Sequence, residues 1–389
     1  MKKLNKKILI TGGGSGGHVS VATAFIDALK NHFEISKDDI LYVGSDLGMV
    51  GEKNGVSVEQ NRMKEKDINF TTLRAGKLQR RFELATIKLL LRAILGVVDA
   101  IKIVKAFKPD LIFSTGGYLS VPIAIAGLIT KTPIYLHEQT AAVGMSNNFV
   151  AKIAKRIYIS FKSSQKYFPK EKVLLTGNIV RPDIFRENSS SELCTAVRQM
   201  KEEKLPIVYM SGGGQGSHIL NLLVNDMLSY ALMDYQIILQ TGDNQVFRDY
   251  DVLTTAWRKL PTNLQRRLYI TKFVSDSEIG CVFKHSDLYV GRAGANIVYE
   301  MGILKKPSIF IPIPWVTHNE QEKNARILEG YGLSKVILEG EVTSAKLHAE
   351  IKGFISEIPS LEINHEGLDT EFVKDAQERI IEDIFGNIS

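Results

Sequence analysis

Cysteine is nearly absent: Cys194 and Cys281 are the only two in 389 residues. No disulfide framework and no zinc site can be built from so few, and a reducing compartment is the simple reading. Long apolar runs are missing as well. No stretch approaches the roughly eighteen uninterrupted apolar residues of a membrane span. The basic start (Lys2, Lys3, Lys6, Lys7) is followed only by Ile8-Leu9-Ile10, too short for the apolar region of a signal peptide. The chain therefore reads as cytoplasmic. Aromatic residues make up 8% of the sequence, and no basic stripe with interleaved stacking rings occurs, which argues against a nucleic-acid partner. The excess of positive charge is modest, +6, and suits an anionic partner such as phosphate or acidic lipid. With 44% apolar and 24% charged residues, the composition is that of a soluble globular protein long enough for two domains.

What is present is glycine, placed repeatedly between a short apolar strand and a helix. Lys7 to Thr11 reads as a strand, Gly12-Gly13-Gly14-Ser15-Gly16-Gly17 as a loop, and Val19 to Leu29 as a helix. Gly12, Gly14 and Gly17 match the dinucleotide fingerprint, but the acidic residue expected after it is missing: Ile40-Leu41-Tyr42-Val43-Gly44-Ser45 ends in serine. NAD is set aside, and the loop reads as an anion site. His18 stands at its mouth and is the candidate general base. A second glycine turn, Gly116-Gly117-Tyr118, follows the strand at Asp110–Thr115. The strand Pro133–Leu136 leads to His137-Glu138-Gln139-Thr140, polar residues at a strand end where open α/β sheets bind ligands. Gly177-Asn178 precedes Arg181, a candidate phosphate clamp.

Between these lies Arg74 to Lys108. Leu84, Ile87, Leu91, Ile94, Leu95, Val98 and Ile101 recur at helical spacing. Most of it reads as an ordinary packed helix with solvated lysines. At its start, Leu78 and Phe82 with Lys77, Arg80 and Arg81 form an apolar patch ringed by cations, suited to an anionic membrane surface.

Asn188 to Ser191 is a polar break, after which the plan repeats. Pro206–Met210 is a strand and Ser211-Gly212-Gly213-Gly214-Gln215-Gly216-Ser217 a glycine loop before a helix. Later strands fall at Tyr235–Gln240, Leu268–Phe273, Asp287–Val290 and Ser308–Ile311. Gly291-Arg292-Ala293-Gly294-Ala295 is a further strand-to-helix turn whose bare N–H groups suit a phosphate. Glu300 lies where a carboxylate can chelate ribose hydroxyls. Gln321 and Asn324 share a helix face and are placed to read sugar hydroxyls. Phe273-Val274 is placed to receive a base. Asp249-Tyr250-Asp251 is a literal D-x-D, read as solvated surface rather than a metal site. Two Rossmann-like α/β domains facing across a cleft are expected: residues 1–187, then 188–365, with an acidic helical segment at 366–389 that docks back on the first domain.

The ordered set of pieces resembles the MurG family of peptidoglycan glycosyltransferases, glycosyltransferase family 28, of GT-B fold. The pieces are Gly13–Val19, Gly76-Lys77-Leu78, Gly116-Gly117-Tyr118, His137-Glu138-Gln139, Gly177-Asn178 with Arg181, Gly212-Gly213 with Gln215-Gly216 and Asn221, Arg292 with Gly294-Ala295 and Glu300, and Gln321 with Asn324. The resemblance implies an inverting transfer of N-acetylglucosamine from UDP to the C4 hydroxyl of lipid I, giving lipid II at the cytoplasmic face of the membrane without spanning it. It places Gly14, Ser15, Gly16, Gly17, Tyr118, His137, Glu138 and Thr140 toward the lipid acceptor. It places Arg181, Gly213, Gly214, Gln215, Val274, Arg292, Ala295, Glu300, Gln321 and Asn324 around the UDP-sugar, with Ser15, Gly16 and Gly17 reaching the donor too. No essential metal or cofactor is expected, because arginines and helix N-termini can meet the leaving-group charge. The family usually has proline at Val21, asparagine at Thr140, serine at Gly214 and Ala293, threonine at Ile297, and histidine or glutamine at Glu320. Rival readings are a GT-B enzyme acting on another lipid, a GT-B-like UDP-N-acetylglucosamine 2-epimerase, and a non-catalytic UDP-sugar sensor.

Overall fold

The structure, a computed structural model, describes residues 2–13, 16–45, 58–74, 84–187 and 190–386. The chain divides into two compact units: unit 1 is Met1–Val180 with Val373–Ser389, and unit 2 is Arg181–Phe372.

Unit 1 is built on a seven-stranded sheet. Its strands are β1 (Ile8–Thr11), β2 (Ile40–Ser45), β3 (Asn69–Leu73), β4 (Leu111–Ser114), β5 (Ile134–Glu138), β6 (Arg156–Ile159) and β7 (Val173–Leu175). They lie in the order β3-β2-β1-β4-β5-β6-β7, all parallel. Helices α1 (Gly16–His32), α2 (Val58–Glu65), α3 (Leu84–Phe107), α4 (Ser120–Thr130) and α5 (Met145–Ile153) connect them. Strand β1 is buried along its whole length, as a strand covered on both faces must be, so its sequence is a continuous apolar run. Ile8 and Ile10 enter one core with Phe25 of α1, whose ring stacks on Phe113 at 3.9 Å. Leu9 points to the opposite core with Val104, Ile123 and Val150 of α3, α4 and α5, as the two-residue period of a strand requires. The strand order reverses between β1 and β4, which opens a crevice at their carboxyl ends.

Unit 2 repeats the scheme with six parallel strands. These are β8 (Ile207–Ser211), β9 (Gln236–Gln240), β10 (Leu268–Thr271), β11 (Leu288–Gly291), β12 (Ser308–Phe310) and β13 (Ser334–Val336), in the order β10-β9-β8-β11-β12-β13. The switch point here is between β8 and β11. Around the sheet lie α6 (Glu192–Glu202), α7 (His218–Asp234), α8 (Asp249–Arg258), the short α9 (Thr262–Gln265), α10 (Asp276–His285), α11 (Ala295–Ile303), α12 (Glu320–Gly330), α13 (Ser344–Glu357) and α14 (His365–Glu371). Ser217 caps α7 by accepting from Leu220 N, and Ser275 with Glu278 closes a capping box on α10.

The architecture departs from the sequence reading at the margins. Strands β3 and β13, which the reading does not contain, are sheet edges that are only partly buried, so their apolar signal is weak. The chain passes into unit 2 at Arg181, ahead of the serine-rich break at Asn188–Ser191. The expected single C-terminal segment at 366–389 is two helices in different units. Helix α14 stays in unit 2: Phe372 packs so closely on Gly302 that a Cβ there would lie 2.3 Å from its ring, and Tyr299 donates to the Glu371 carbonyl at 3.1 Å. The last helix, α15 (Ala376–Phe385), belongs to unit 1. Its Ile380, Ile381 and Ile384 enter the Phe25 core, and its Asp383 takes both ends of the Arg156 guanidinium at 3.1 and 2.9 Å. No helix among the described residues is long and apolar enough to cross a membrane. Lys77, Leu78, Arg80, Arg81 and Phe82 lie outside the described residues.

Candidate functional site

In unit 1 the carboxyl ends of β1, β4 and β5 bring the sequence-selected residues together. Two glycine turns interlock here. A Cβ on Gly12 would stand 1.8 Å from Thr115 Oγ1, and one on Gly117, whose φ is +86°, would stand 2.1 Å from the Gly13 carbonyl oxygen. Only glycine permits that approach and that backbone. Gly14 and Ser15 lie outside the described residues; Gly16 and Gly17 open α1. His18 follows on the same first turn. Its Nδ1 is 2.7 Å from the Thr115 carbonyl oxygen and 2.7 Å from Gln139 Nε2, which itself donates to Thr115 O at 2.9 Å. The Thr115 carbonyl can only accept, so its 2.7 Å contact makes Nδ1 the N–H of the ring, and Gln139 Nε2 gives to the same carbonyl. That leaves Nε2 as the basic atom of the ring. Burial lowers the His18 pKa, and the Thr115 hydrogen bond offsets part of the effect, so the ring is neutral near pH 7. Tyr118 joins the group through a 2.7 Å hydrogen bond to Ser45 Oγ.

The sequence reading turns His137 and Glu138 toward an acceptor; the structure buries them, 0% and 2% exposed. The strand-end position is right, but both face inward to polar backbone. His137 Nε2 donates to Gly177 O at 3.3 Å, and burial drives its pKa down to about 4. Glu138 accepts from Thr140 N at 2.9 Å, Thr140 Oγ1 at 2.8 Å and Asn147 Nδ2 at 2.7 Å. Burial raises the Glu138 pKa, while these donors pull it back. Glu138 therefore positions the half-buried Thr140 and does not face outward.

In unit 2 the loops after β8, β10 and β11 carry the site. Gly213, Gly214 and Gln215 are exposed, and a Cβ on Gly213 or Gly214 would meet nothing within 4 Å among the described residues. Gly216 N closes the turn on Gly213 O at 3.1 Å, directly before the start of α7. Ala295 is the first residue of α11, after the Gly294 cap. The first turns of both helices carry N–H groups that have no carbonyl partner within the helix. Glu300, 3% exposed, is gripped by Arg181 through two parallel bonds of 3.0 Å each. A third bond runs from Arg181 Nη1 to Asp276 at 2.8 Å. Burial works against the Arg181 charge, but the Glu300 and Asp276 carboxylates outweigh it and hold the pKa above its ordinary value. Val274 is half-buried, its N–H given to Gln240 Oε1 at 3.1 Å.

Three expected ligand contacts take another form. Arg292 is internal: Nε and Nη2 donate to Ser217 Oγ at 3.1 and 2.7 Å, Nη1 donates to Ile311 O at 3.0 Å, and Nη2 pairs with Glu339. Its guanidinium pins the cap of α7 and does not face outward. Asn324 is fully buried and donates to Ala293 O at 3.3 Å. Gln321 Oε1 accepts from Ala293 N and Ile313 N, each at 3.2 Å. Both amides hold the β11 loop, so they shape the site through its backbone. The D-x-D also differs from its reading. Asp249 is buried and accepts from His218 Nδ1 at 2.7 Å and Asn221 Nδ2 at 3.0 Å, whereas Asp251 is on the surface with Arg248.

Two residues absent from the sequence reading complete the unit 2 site. Gln240 donates to Gly213 O at 3.0 Å and accepts from Val274 N and from Tyr209 Oη at 3.0 Å, so one side chain ties the β8 loop to the β10 loop. Its place at the end of β9 is the signal that could have found it. Asp276 has no such signal; its partner Arg181 is close only in the fold.

Two Rossmann-like units, each with a glycine turn at its switch point, define a glycosyltransferase fold of the GT-B type. Chains of that shape include a crystal structure of Acinetobacter baumannii MurG (19% identical, 97% of this chain and 99% of that one, TM-score 0.68). They also include a UDP-GlcNAc 2-epimerase from Neisseria meningitidis bound to UDP-GlcNAc (12% identical, 98% and 100% covered, TM-score 0.61). Such a shape thus serves both transferases and epimerases. Residues 8–159 match the glycosyltransferase family 28 N-terminal domain and residues 207–380 its C-terminal domain. The chain is 31% identical over 386 residues, 99% of each chain, to a UDP-N-acetylglucosamine–N-acetylmuramyl-(pentapeptide) pyrophosphoryl-undecaprenol N-acetylglucosamine transferase of Bacillus thuringiensis. It belongs to glycosyltransferase family 28.

Proposed function

We propose that this chain is an inverting hexosyltransferase that moves N-acetylglucosamine from UDP-N-acetylglucosamine to the C4 hydroxyl of lipid I, undecaprenyl-pyrophosphoryl-MurNAc-pentapeptide. The products are lipid II, UDP and a proton. The observation that carries the reading is the 31% identity along 99% of both chains with a relative of that name. In the proposed step the acceptor oxygen forms a bond to the anomeric carbon while the bond to the UDP oxygen breaks, its electron pair leaving with UDP. The hydroxyl proton passes to Nε2 of His18, which is free because Nδ1–H is given to Thr115.

At the donor, the exposed backbone of the loop at Gly213–Gln215 and the starts of α7 and α11 take the diphosphate. Glu300 takes the ribose hydroxyls, and Arg181 orients Glu300 rather than clamping phosphate, since its guanidinium is committed to two carboxylates. Val274 and Gln240 bound the uracil side, and the amide nitrogen of Gln321 is the end left to meet the sugar. Backbone N–H groups supply the positive field, so the reaction proposed uses no metal. The lipid acceptor requires work at the cytoplasmic face of the membrane. We assign docking to the stretch with Lys77, Leu78, Arg80, Arg81 and Phe82, continued by Ile94, Leu95 and Val98 of α3, which are 56%, 46% and 43% exposed.

The test is transfer of labelled N-acetylglucosamine from UDP-N-acetylglucosamine into the lipid fraction with lipid I supplied. Label in the lipid that depends on lipid I supports the reading. UDP release without any acceptor points to an epimerase-like or hydrolytic activity. UDP binding with no release at all points to a sensor.

A further inference from the structure

We infer that unit 2 carries a binding site for a divalent ion of the zinc class, formed by Cys281, His285 and Glu187 with Cys194 as fourth donor. Two cysteines looked too few in the sequence to build a metal site, but the fold brings both to one place and adds two other ligand types. Cys281 and His285 are four residues apart on α10, so they share a face, a spacing that helices use to present two metal ligands. Glu187 comes from the stretch before α6, and Cys194 from the first turn of α6. One ligand atom each of Glu187, Cys281 and His285 lie within 4.8 Å of one another, and His285 Nε2 is already 3.0 Å from Glu187 Oε1. In tetrahedral zinc the bond lengths set ligand atoms about 3.3–3.8 Å apart, so closing these three needs side-chain shifts of about 1 Å, and Cys194, outside that group, must swing in further from beside Cys281. The Cys194 thiol hydrogen-bonds to the Cys281 thiol, and both are buried and free.

The electrostatic surroundings favour such an ion. Bound metal supplies the charge that a thiolate needs and releases the proton. Two thiolates and one carboxylate exceed a divalent ion by one negative charge. Lys284 Nζ at 2.6 Å and Arg198 Nη2 at 3.3 Å from Glu187 stand ready to balance it. A bound ion would staple the first residues of unit 2 to α10. Those residues already lie against the helix at Gly280, where a Cβ would meet Arg186 O at 1.9 Å and Asp183 O at 2.4 Å. The start of the same helix holds Asp276 against Arg181, so the ion would stiffen the segment that sets Arg181 in place.

The experiment is titration of Co²⁺ into the full chain after chelation, followed by competition with Zn²⁺. Expected are a thiolate-to-cobalt charge-transfer band and the visible bands of a four-coordinate ion, both removed by Zn²⁺. Cys281→Ser should weaken binding by about 100-fold or more, beyond what losing a supporting partner costs. Cys194→Ser should retain binding with roughly half the charge-transfer intensity, one sulfur ligand of two remaining. His285→Gln, on a partly exposed side chain, gives the same loss of affinity where Cys281→Ser perturbs folding, as judged by circular dichroism without metal. A six-coordinate cobalt spectrum in the wild type, or an undiminished band in Cys281→Ser, would overturn the site.

Discussion

The two glycine loops look alike in sequence and do different work. In unit 1, Gly12 and Gly117 are required by close approach, 1.8 Å to Thr115 Oγ1 and 2.1 Å to Gly13 O for an added Cβ. In unit 2, Gly212 and Gly216 are held as closely, 2.2 Å to Ser217 N and 2.0 Å to Thr241 O for an added Cβ, but Gly213 and Gly214 between them face open space. The groups behind the loops differ in kind as well. Unit 1 gathers nearly neutral, buried hydrogen-bonding side chains around His18: His137, Gln139 and a Glu138 made harder to ionise. Unit 2 gathers full charges, Arg181 with Glu300 and Asp276, and Arg292 with Glu339. A rigid pocket of buried hydrogen-bonding groups suits handling one proton. An open loop over a charge network suits gripping an anionic nucleotide whose own charge changes in the reaction. In the proposed assignment the same strand-turn-helix unit serves either task according to what its loop packs against.

The comparison can be broken or sharpened at four points. His18→Ala should lower kcat by about 10²–10⁴-fold, the range of a general base, with KM for UDP-N-acetylglucosamine nearly unchanged. Steady-state kinetics with lipid I decides it, and unchanged turnover removes His18 from that role. Gly117→Ala should destabilise the protein by about 3 kcal/mol or more, read in urea unfolding, because its φ of +86° and the Gly13 contact both resist a side chain. Acid should act through unit 1. His137 has an ordinary pKa near 6.5 unfolded and about 4 folded, so the unfolded chain binds the extra proton between those values. Stability is then retained above pH ~6.5 and falls by roughly 3 kcal/mol as pH drops to ~4. Denaturant titrations at several pH values should show this slope, and His137→Gln should flatten it. The smallest effect is a gain: Gly214→Ser restores the hydroxyl usual in the family at a place with no clash. It should tighten UDP binding by about 3- to 10-fold, one hydrogen bond's worth, seen by calorimetry.

The buried strands were legible because a strand covered on both faces is a plain apolar run; Ile40–Ser45 has the same bounds in sequence and structure. The edge strands Asn69–Leu73 and Ser334–Val336 were not, since half of what they face is solvent. The places of His18 just after a glycine loop, His137 at a strand end and Glu300 within the helix after the β11 turn could be read. What those side chains touch could not, because Thr115, Gln139, Gly177 and Arg181 come from distant sequence. Arg292 and Asn324 show the cost: polar residues beside a ligand loop look like ligands in sequence, yet here they hold the loop's backbone. Cys194 and Cys281 show the converse: Cys281 and His285 share a helix face by spacing, but the approach of Cys194 and Glu187 to them comes only from the fold.

The division of labour between the units is tested most directly by calorimetric titration of UDP into His18→Ala and Glu300→Ala beside the wild type. UDP affinity should be unchanged in His18→Ala and lowered by about 10- to 100-fold in Glu300→Ala, where the buried carboxylate proposed to hold the ribose is lost. Equal UDP affinity in all three proteins, or a loss only in His18→Ala, would contradict it.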